Sequence, residues 1–277
     1  MKNALCLGSF DGIHNGHRNV LSVSPEYRRV VVTFKAPPKS VLSGEASMIM
    51  TLDQKCEALR RMGIKEIDVL DFLSVKDMSA NEFLKMLLEK YNPGLISCGF
   101  NYRFGKGGEG DINLLKDFCD KNGINLRVCE PVKDNQTVIS STMVRGLLQN
   151  GEIEKANEFL YEPFSFITEV VEGDKRGRTI GFPTVNQKYP DQLVKLKFGV
   201  YKTKVEFDGE SYIGITNIGI RPTFESDYII SETYIENFSG DLYGKILKIT
   251  PIKFLREETK FSSLEELKRQ IEIDLKK

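Results

Sequence analysis

Along the first half of the chain, short apolar runs alternate with stretches whose apolar positions recur at helical spacing. Leu5-Cys6-Leu7 and Val30-Val31-Val32-Thr33-Phe34 read as strands. Leu52, Cys56, Leu59 and Met62 form a helical stripe behind Thr51, a candidate N-cap, and Gly63 ends the run. Residues 67–70 predict a strand. Ser79-Ala80-Asn81-Glu82 has the form of a capping box, in which Ser and Glu each satisfy a backbone N–H at the other's position. The helix it opens carries Phe83, Leu84, Leu87 and Leu88 on its apolar side and stops before Pro93. Leu95-Ile96-Ser97-Cys98 is a further strand. Asp111 caps a helix through Leu114, Leu115 and Phe118, ended by Gly123, and residues 126–129 form the next strand. A βαβα order predicts a parallel sheet covered on both faces.

The second half has a different rhythm. After a helical stretch over residues 152–160 comes Tyr161-Glu162-Pro163, a junction that divides the chain into domains 1–160 and 161–277. In Tyr201-Lys202-Thr203-Lys204-Val205-Glu206-Phe207 every charge falls on an even position, which marks a strand with one wet face. Asp208-Gly209 supplies a hairpin turn. Several strands follow before a terminal helix opening at Ser262-Ser263, with Leu264, Leu267, Ile271 and Leu275 as its stripe. An antiparallel barrel closed by one helix accounts for this pattern.

Composition narrows the classes of partner. The 277 residues carry 39 basic and 39 acidic side chains, so no global field favours nucleic acid or an anionic membrane. A local pocket for a small anion is compatible with that balance. No apolar run approaches the ~18–20 residues of a membrane span. The N-terminal apolar stretch meets Asp11 and His14 too soon for a secretory signal. Five cysteines, with no C-x-x-C pair, fit buried free thiols in a reducing cytoplasm rather than disulfides or zinc.

Both histidines of the chain lie in Asp11-Gly12-Ile13-His14-Asn15-Gly16-His17, directly after the first strand. Their spacing places them on one side of a helical turn, at the sheet edge where doubly wound folds bind ligands. Gly12 and Gly16 let a ligand approach the backbone, and the following helix start offers N–H groups to phosphate. Two surface histidines on a loop would give the same pattern. Ile139-Ser140-Ser141-Thr142-Met143-Val144-Arg145 gathers hydroxyls and an arginine at a helix start, which suits outer phosphates, or a plain serine-capped helix. Gly99-Phe100-Asn101-Tyr102-Arg103-Phe104-Gly105 suits a flat ring and a phosphate, or a surface loop.

A second constellation lies beyond the junction. Residues 173–186 are rich in glycine and positive charge, with Gly177, Arg178, Thr184 and Asn186 placed to meet Mg²⁺-ATP. No Walker A motif occurs, and a basic hairpin turn is the plainer reading. Glu232 shares a strand face with Tyr234 and Glu236. It becomes a candidate base only if a barrel brings it beside Thr184.

Together these motifs resemble the bacterial bifunctional riboflavin kinase/FMN adenylyltransferase family, the FAD synthetases. The resemblance runs in order along nearly the whole chain. It is carried by residues 8–17, 99–105, 139–145 and 177–186, by Asn217-Ile218-Gly219-Ile220-Arg221-Pro222-Thr223-Phe224, by Glu232 and by Asp241-Leu242-Tyr243-Gly244. It implies an α/β fold: a Rossmann-like nucleotidyltransferase domain with a parallel sheet, then an antiparallel β-barrel kinase domain with a terminal helix. It implies transfer of AMP from ATP to FMN in the first domain and phosphorylation of riboflavin in the second, with Mg²⁺ and ATP. His14, His17 and Glu232 would be catalytic. Gly8, Phe10, Asp11, Ser141, Thr142 and Arg145, and in the barrel Gly177, Arg178, Thr184 and Asn186, would bind ATP and its phosphates. Asn101, Arg103 and Phe104 would face the flavin, and Thr184 the metal. Partners would be small molecules, with no nucleic acid and no membrane, and the site of action would be cytoplasmic. Three departures fall in the first domain. Lys35-Ala36-Pro37-Pro38 stands where the family usually shows Glu-Pro-His-Pro, the segment after His17 is short and contains Pro25, and the chain starts almost at the first strand. They define the alternative, a monofunctional riboflavin kinase with a degenerate first domain.

Overall fold

A computed structural model describes residues 1–44, 47–173, 181–221, 228–259 and 261–277. It divides into two compact units. The first comprises residues 1–143 with 159–162, and the second residues 144–158 with 163–277. Residues 144–158 group with the second unit and residues 159–162 with the first.

In the first unit the strands and helices alternate. In chain order they are β1 (Asn3–Leu7), α1 (Asn15–Leu21), β2 (Arg28–Phe34), α2 (Pro38–Ser43), α3 (Leu52–Arg61), β3 (Glu66–Leu70), α4 (Phe72–Val75), α5 (Ala80–Tyr91), β4 (Pro93–Gly99), α6 (Ile112–Asn122) and β5 (Asn125–Cys129). A small β6 (Lys133–Asp134) and β7 (Thr137–Val138) ribbon leads into α7 (Ser141–Asn150), and from Val144 through α8 (Ile153–Phe159) as far as Glu158 the chain belongs to the second unit. The five-stranded parallel sheet has the order β3-β2-β1-β4-β5. Its order reverses between β1 and β4, so the loops leaving those two strands flank the switch-point crevice. Strand alternation feeds two cores. Leu5, Leu7, Ile96 and Cys98 pack with Phe83, Leu84 and Leu115 on one face, while Cys6 and Val31 pack with Leu21, Ala58 and Leu59 on the other.

Helix ends follow the local code. Thr51 with Gln54, and Ser79 with Glu82, form complete capping boxes. Asp111 caps α6, and left-handed Gly123 ends it. The apolar stripe of α3 departs from expectation. Its buried members are Lys55, Ala58 and Leu59, so a lysine occupies the core phase and Cys56 is only half-buried.

The second unit contains β8 (Phe166–Val171), β9 (Thr184–Lys188), β10 (Gly199–Phe207), β11 (Glu210–Arg221), β12 (Tyr228–Ile235), β13 (Ile246–Arg256) and α9 (Leu264–Leu275). The six strands close into an antiparallel barrel in the order β10-β11-β12-β9-β8-β13. Asp208 (φ 49°) and Gly209 (φ 83°) are both left-handed, the conformation a two-residue hairpin turn needs to match strand twist. Tyr201, Thr203 and Val205 point inward and Lys202, Lys204 and Glu206 outward. Inside the barrel, Thr203, Thr216 and Thr233 form a chain of buried hydroxyls linked at 2.8 and 2.9 Å. The carboxylate of Asp274 is buried and accepts from Arg256 Nε at 2.9 Å, which ties α9 to β13.

Candidate active sites

The loop between β1 and α1 is strained in one short stretch. Phe10 (φ 49°), Gly12 (φ 85°) and Ile13 (φ 42°) are all left-handed, and for a β-branched residue such as Ile13 that conformation is a genuine outlier. The turn delivers His14 to the N-cap of α1, where its Nδ1 accepts the Gly16 N–H at 3.2 Å. The neutral ring therefore carries its proton on Nε2. The His17 ring stacks on His14 with centroids 3.7 Å apart, and the Phe10 ring meets His17 edge-on at 5.3 Å. At Gly16 a Cβ would come within 3.1 Å of the His14 ring, so this glycine makes room for the imidazole rather than for a ligand. Gly12 likewise faces Ile49 and Leu160, and Gly8 lies under the Phe10 ring.

Two expected nucleotide contacts take other parts. Phe10 is fully buried, and its side chain braces His17. The buried Asp11 carboxylate accepts from Ile49 N at 2.9 Å and Met50 N at 3.4 Å, as suits an anion that would repel phosphate. Its backbone carbonyl accepts the Ser141 hydroxyl at 2.9 Å, which brings the start of α7 to the histidine loop. Ser140 caps that helix through Met143 N at 3.2 Å, and Thr142 is exposed beside it. Arg145 lies one turn further along α7, in the second compact unit.

After β4, Asn101 and Arg103 are exposed, whereas Phe104 is not open to a flavin. Its ring packs on Phe83 at 6.0 Å, and its backbone pairs with Gly110 in both directions. An aromatic buried between a strand end and α5 anchors the loop. The ring left open in this loop is Phe100, 42% exposed, which sequence reasoning passed over.

On the barrel, strand pairing aligns Asn217 with Glu232 and Glu232 with Asn186. Directly opposed residues share a face, so these three side chains form one row across β11, β12 and β9. Thr184 pairs with Tyr234 two residues along the same face and is exposed. The amide oxygens of Asn186 and Asn217 are buried and have no hydrogen-bond partner among the described residues. Asn217 donates its amide to Glu258 at 2.9 Å, and the Glu258 carboxylate fills the space over Gly219. Gly173 is equally committed, since a Cβ there would overlap the Asn186 amide. Beside Thr184 opens a cleft lined by Pro183, Phe238, Leu242 and Tyr243. Asn217 and Glu258 escaped sequence reasoning, although Asn217 sits in the quoted motif. Gly177 and Arg178, with residues 222–224, lie outside the described residues.

Comparison with known proteins matches each half separately. A FAD synthetase family model covers residues 1–143, and a riboflavin kinase model covers residues 160–277. The bifunctional riboflavin kinase/FMN adenylyltransferase of Bacillus subtilis is 33% identical over 99% of this chain and 90% of its own length. The one from Escherichia coli is 33% identical over 98% and 90%. A crystal structure from Streptococcus pneumoniae, described as a macrolide-efflux protein, superposes with a TM-score of 0.91 at 30% identity, covering 99% of this chain and 93% of that one. Among the described residues no helix is long and apolar enough to cross a membrane. With both models matched, the monofunctional alternative gives way. The chain belongs to the bifunctional riboflavin kinase/FMN adenylyltransferase family, and it joins an FMN-adenylylating enzyme to an ATP-dependent riboflavin kinase in one polypeptide.

Proposed function

We propose that residues 1–160 adenylylate FMN at the histidine pair and that residues 161–277 phosphorylate riboflavin at the row containing Glu232. What supports this reading is that each reaction finds its own constellation of preorganised polar groups, one at a sheet switch point and one on a barrel face. In the first reaction the FMN phosphate attacks the α-phosphorus of ATP and pyrophosphate leaves. Negative charge grows on the α-phosphate oxygens, where the Nε2–H of His14 and the stacked His17 stabilise it. The Phe10 ring, packed over Gly8, meets His17 edge-on and helps hold it in place. Ser141 and Thr142, at the start of α7, take the outer phosphates. Asn101 and Arg103 face the flavin phosphate.

In the second reaction Glu232 accepts the proton of the ribityl 5′-hydroxyl as it attacks the γ-phosphorus of ATP. The donor set around it is wholly oxygen: Thr184 Oγ1, the orphaned Asn186 and Asn217 amide oxygens, and a carboxylate. That set fits a hard cation, and Thr184 with Asn186 would hold Mg²⁺. When bound, the ion supplies charge neutralisation at the phosphates. The enzyme belongs in the cytoplasm on this reading: all five cysteines are free, and burial raises the Cys6 and Cys98 thiols to about 12.

Product analysis from riboflavin, ATP and Mg²⁺ tests the reading. His17→Ala is expected to cut FAD formation by ~10²–10³ and to stop at FMN. Glu232→Gln is expected to make no FMN yet still convert added FMN to FAD. A folded variant losing both activities together would refute the two-site assignment.

A further inference from the structure

Lys55 is a buried cation that the chemistry above does not use. It projects from the core-facing side of α3 with 2% of its surface exposed. Its ammonium donates to the Ser9 carbonyl at 3.0 Å, the Phe34 carbonyl at 2.6 Å and the Thr33 hydroxyl at 3.4 Å. Thr33 donates in turn to the same Ser9 carbonyl at 3.0 Å. An ammonium has three donors and no acceptor, and here three oxygens meet it. Ser9 opens the strained turn. The next residue is Phe10, left-handed and braced against His17, which stacks on His14. Thr33 and Phe34 close β2.

A residue serving packing alone would be apolar here, because burying a charge is costly. Burial lowers the lysine to about 8, partly offset by Asp11 on the β1 loop and Cys56 on its own helix. We infer that Lys55 is a positioning residue for adenylyl transfer: its ammonium clamps the Ser9 carbonyl to the end of β2 and so fixes the turn that seats the histidine pair. The inference rests on the adenylyl-transfer reading of that pair. Deprotonation turns a lone pair toward an oxygen and loosens the clamp, so the device works below the folded pKa and fails above it.

The test follows FMN adenylylation by the full chain against pH for wild type, Lys55→Met, Lys55→Arg and His17→Ala, with riboflavin phosphorylation as internal control. Lys55→Met is expected to lower kcat for FAD formation ~10–100-fold, the scale of a small misplacement of reacting groups, with KM for ATP nearly unchanged. Wild-type kcat is expected to fall as pH rises through about 8. That limb is expected to be absent in Lys55→Arg, whose guanidinium stays charged, and the kinase reaction should not share it. A Lys55→Met kcat within about twofold of wild type overturns the inference, taking ~10² as the cost of misplacement. Should that variant fail to fold, an alkaline limb that persists in Lys55→Arg overturns it instead. Full FAD formation by His17→Ala would strike the underlying reading, whereas an inactive His17→Ala beside an active Lys55→Met strikes the Lys55 inference alone.

Discussion

Gly16 is helical, yet the space over it belongs to the His14 ring, 3.1 Å from where a Cβ would sit. Alanine is the better helix former by ~1 kcal/mol, so Gly16→Ala pulls two properties apart. The expected result is unchanged or raised thermal stability with FAD formation down about tenfold or more, consistent with the cost of misplaced reacting groups. Melting curves alongside adenylylation rates check it, and a variant that keeps full activity would show that His14 does not need its capping position. Gly173→Ala acts on the other reaction, because its Cβ meets the buried Asn186 amide. Riboflavin phosphorylation should fall through a higher KM for Mg²⁺-ATP, with adenylylation of added FMN intact. At this scale the sequence shows which side chains a loop owns but not where they point. Phe10, Asp11 and Phe104 stand among plausible ligand contacts in the text of the chain and turn into the protein in space. Nothing in the stripe Leu52, Cys56, Leu59 and Met62 singles out the lysine of α3. Burial of Lys55, Ala58 and Leu59 shows the face turned by one residue.

Helix α1, with seven residues, is too short to satisfy its own carbonyls, and other elements do so. Ser97 on β4 donates to Val20 O at 2.8 Å. Arg127 on β5 donates to Asn19 O and to Asn19 Oδ1, both at 3.0 Å, and also to the Ser22 carbonyl. The short segment before Pro25 is thus compensated from the neighbouring strands. Arg127→Ala is expected to destabilise the first unit by about 2–3 kcal/mol, since hydrogen bonds to a charged group are worth ~1.5–3 kcal/mol. It should lower FAD formation and leave FMN formation alone. Denaturant unfolding followed by both assays measures this, and undisturbed stability would remove Arg127 from its place as the anchor of α1. The contrast explains what was legible. Capping at Ser79, Asp111 and Thr51 and the Asp208-Gly209 turn are decided within a few residues, and each appears where the chain predicts it. The insertion of β9 between β12 and β8, the Asn217–Glu232–Asn186 row and the Glu258 contact arise from pairings remote in sequence. No local pattern carries them.

Across the whole molecule, division into two compact units, with the histidine pair in one and the Glu232 row in the other, predicts that the two reactions are chemically independent and linked only through FMN. The charge balance of 39 against 39 supports local rather than global handling of the phosphates. Mixing two defective chains puts this to a direct test. Glu232→Gln alone should make nothing from riboflavin, and His17→Ala alone should accumulate FMN. Together they should form FAD, because FMN released by the second variant reaches the intact adenylylation site of the first. FAD should appear after a lag in which free FMN builds up, and the lag should shorten as the concentration of the His17→Ala chain rises. Preloading the mixture with FMN should abolish the lag. If each variant keeps its own half-reaction and the mixture still yields no FAD, then FMN does not travel between chains through solution. The two sites would then act as a coupled pair within one polypeptide, and their independence would be the idea to abandon.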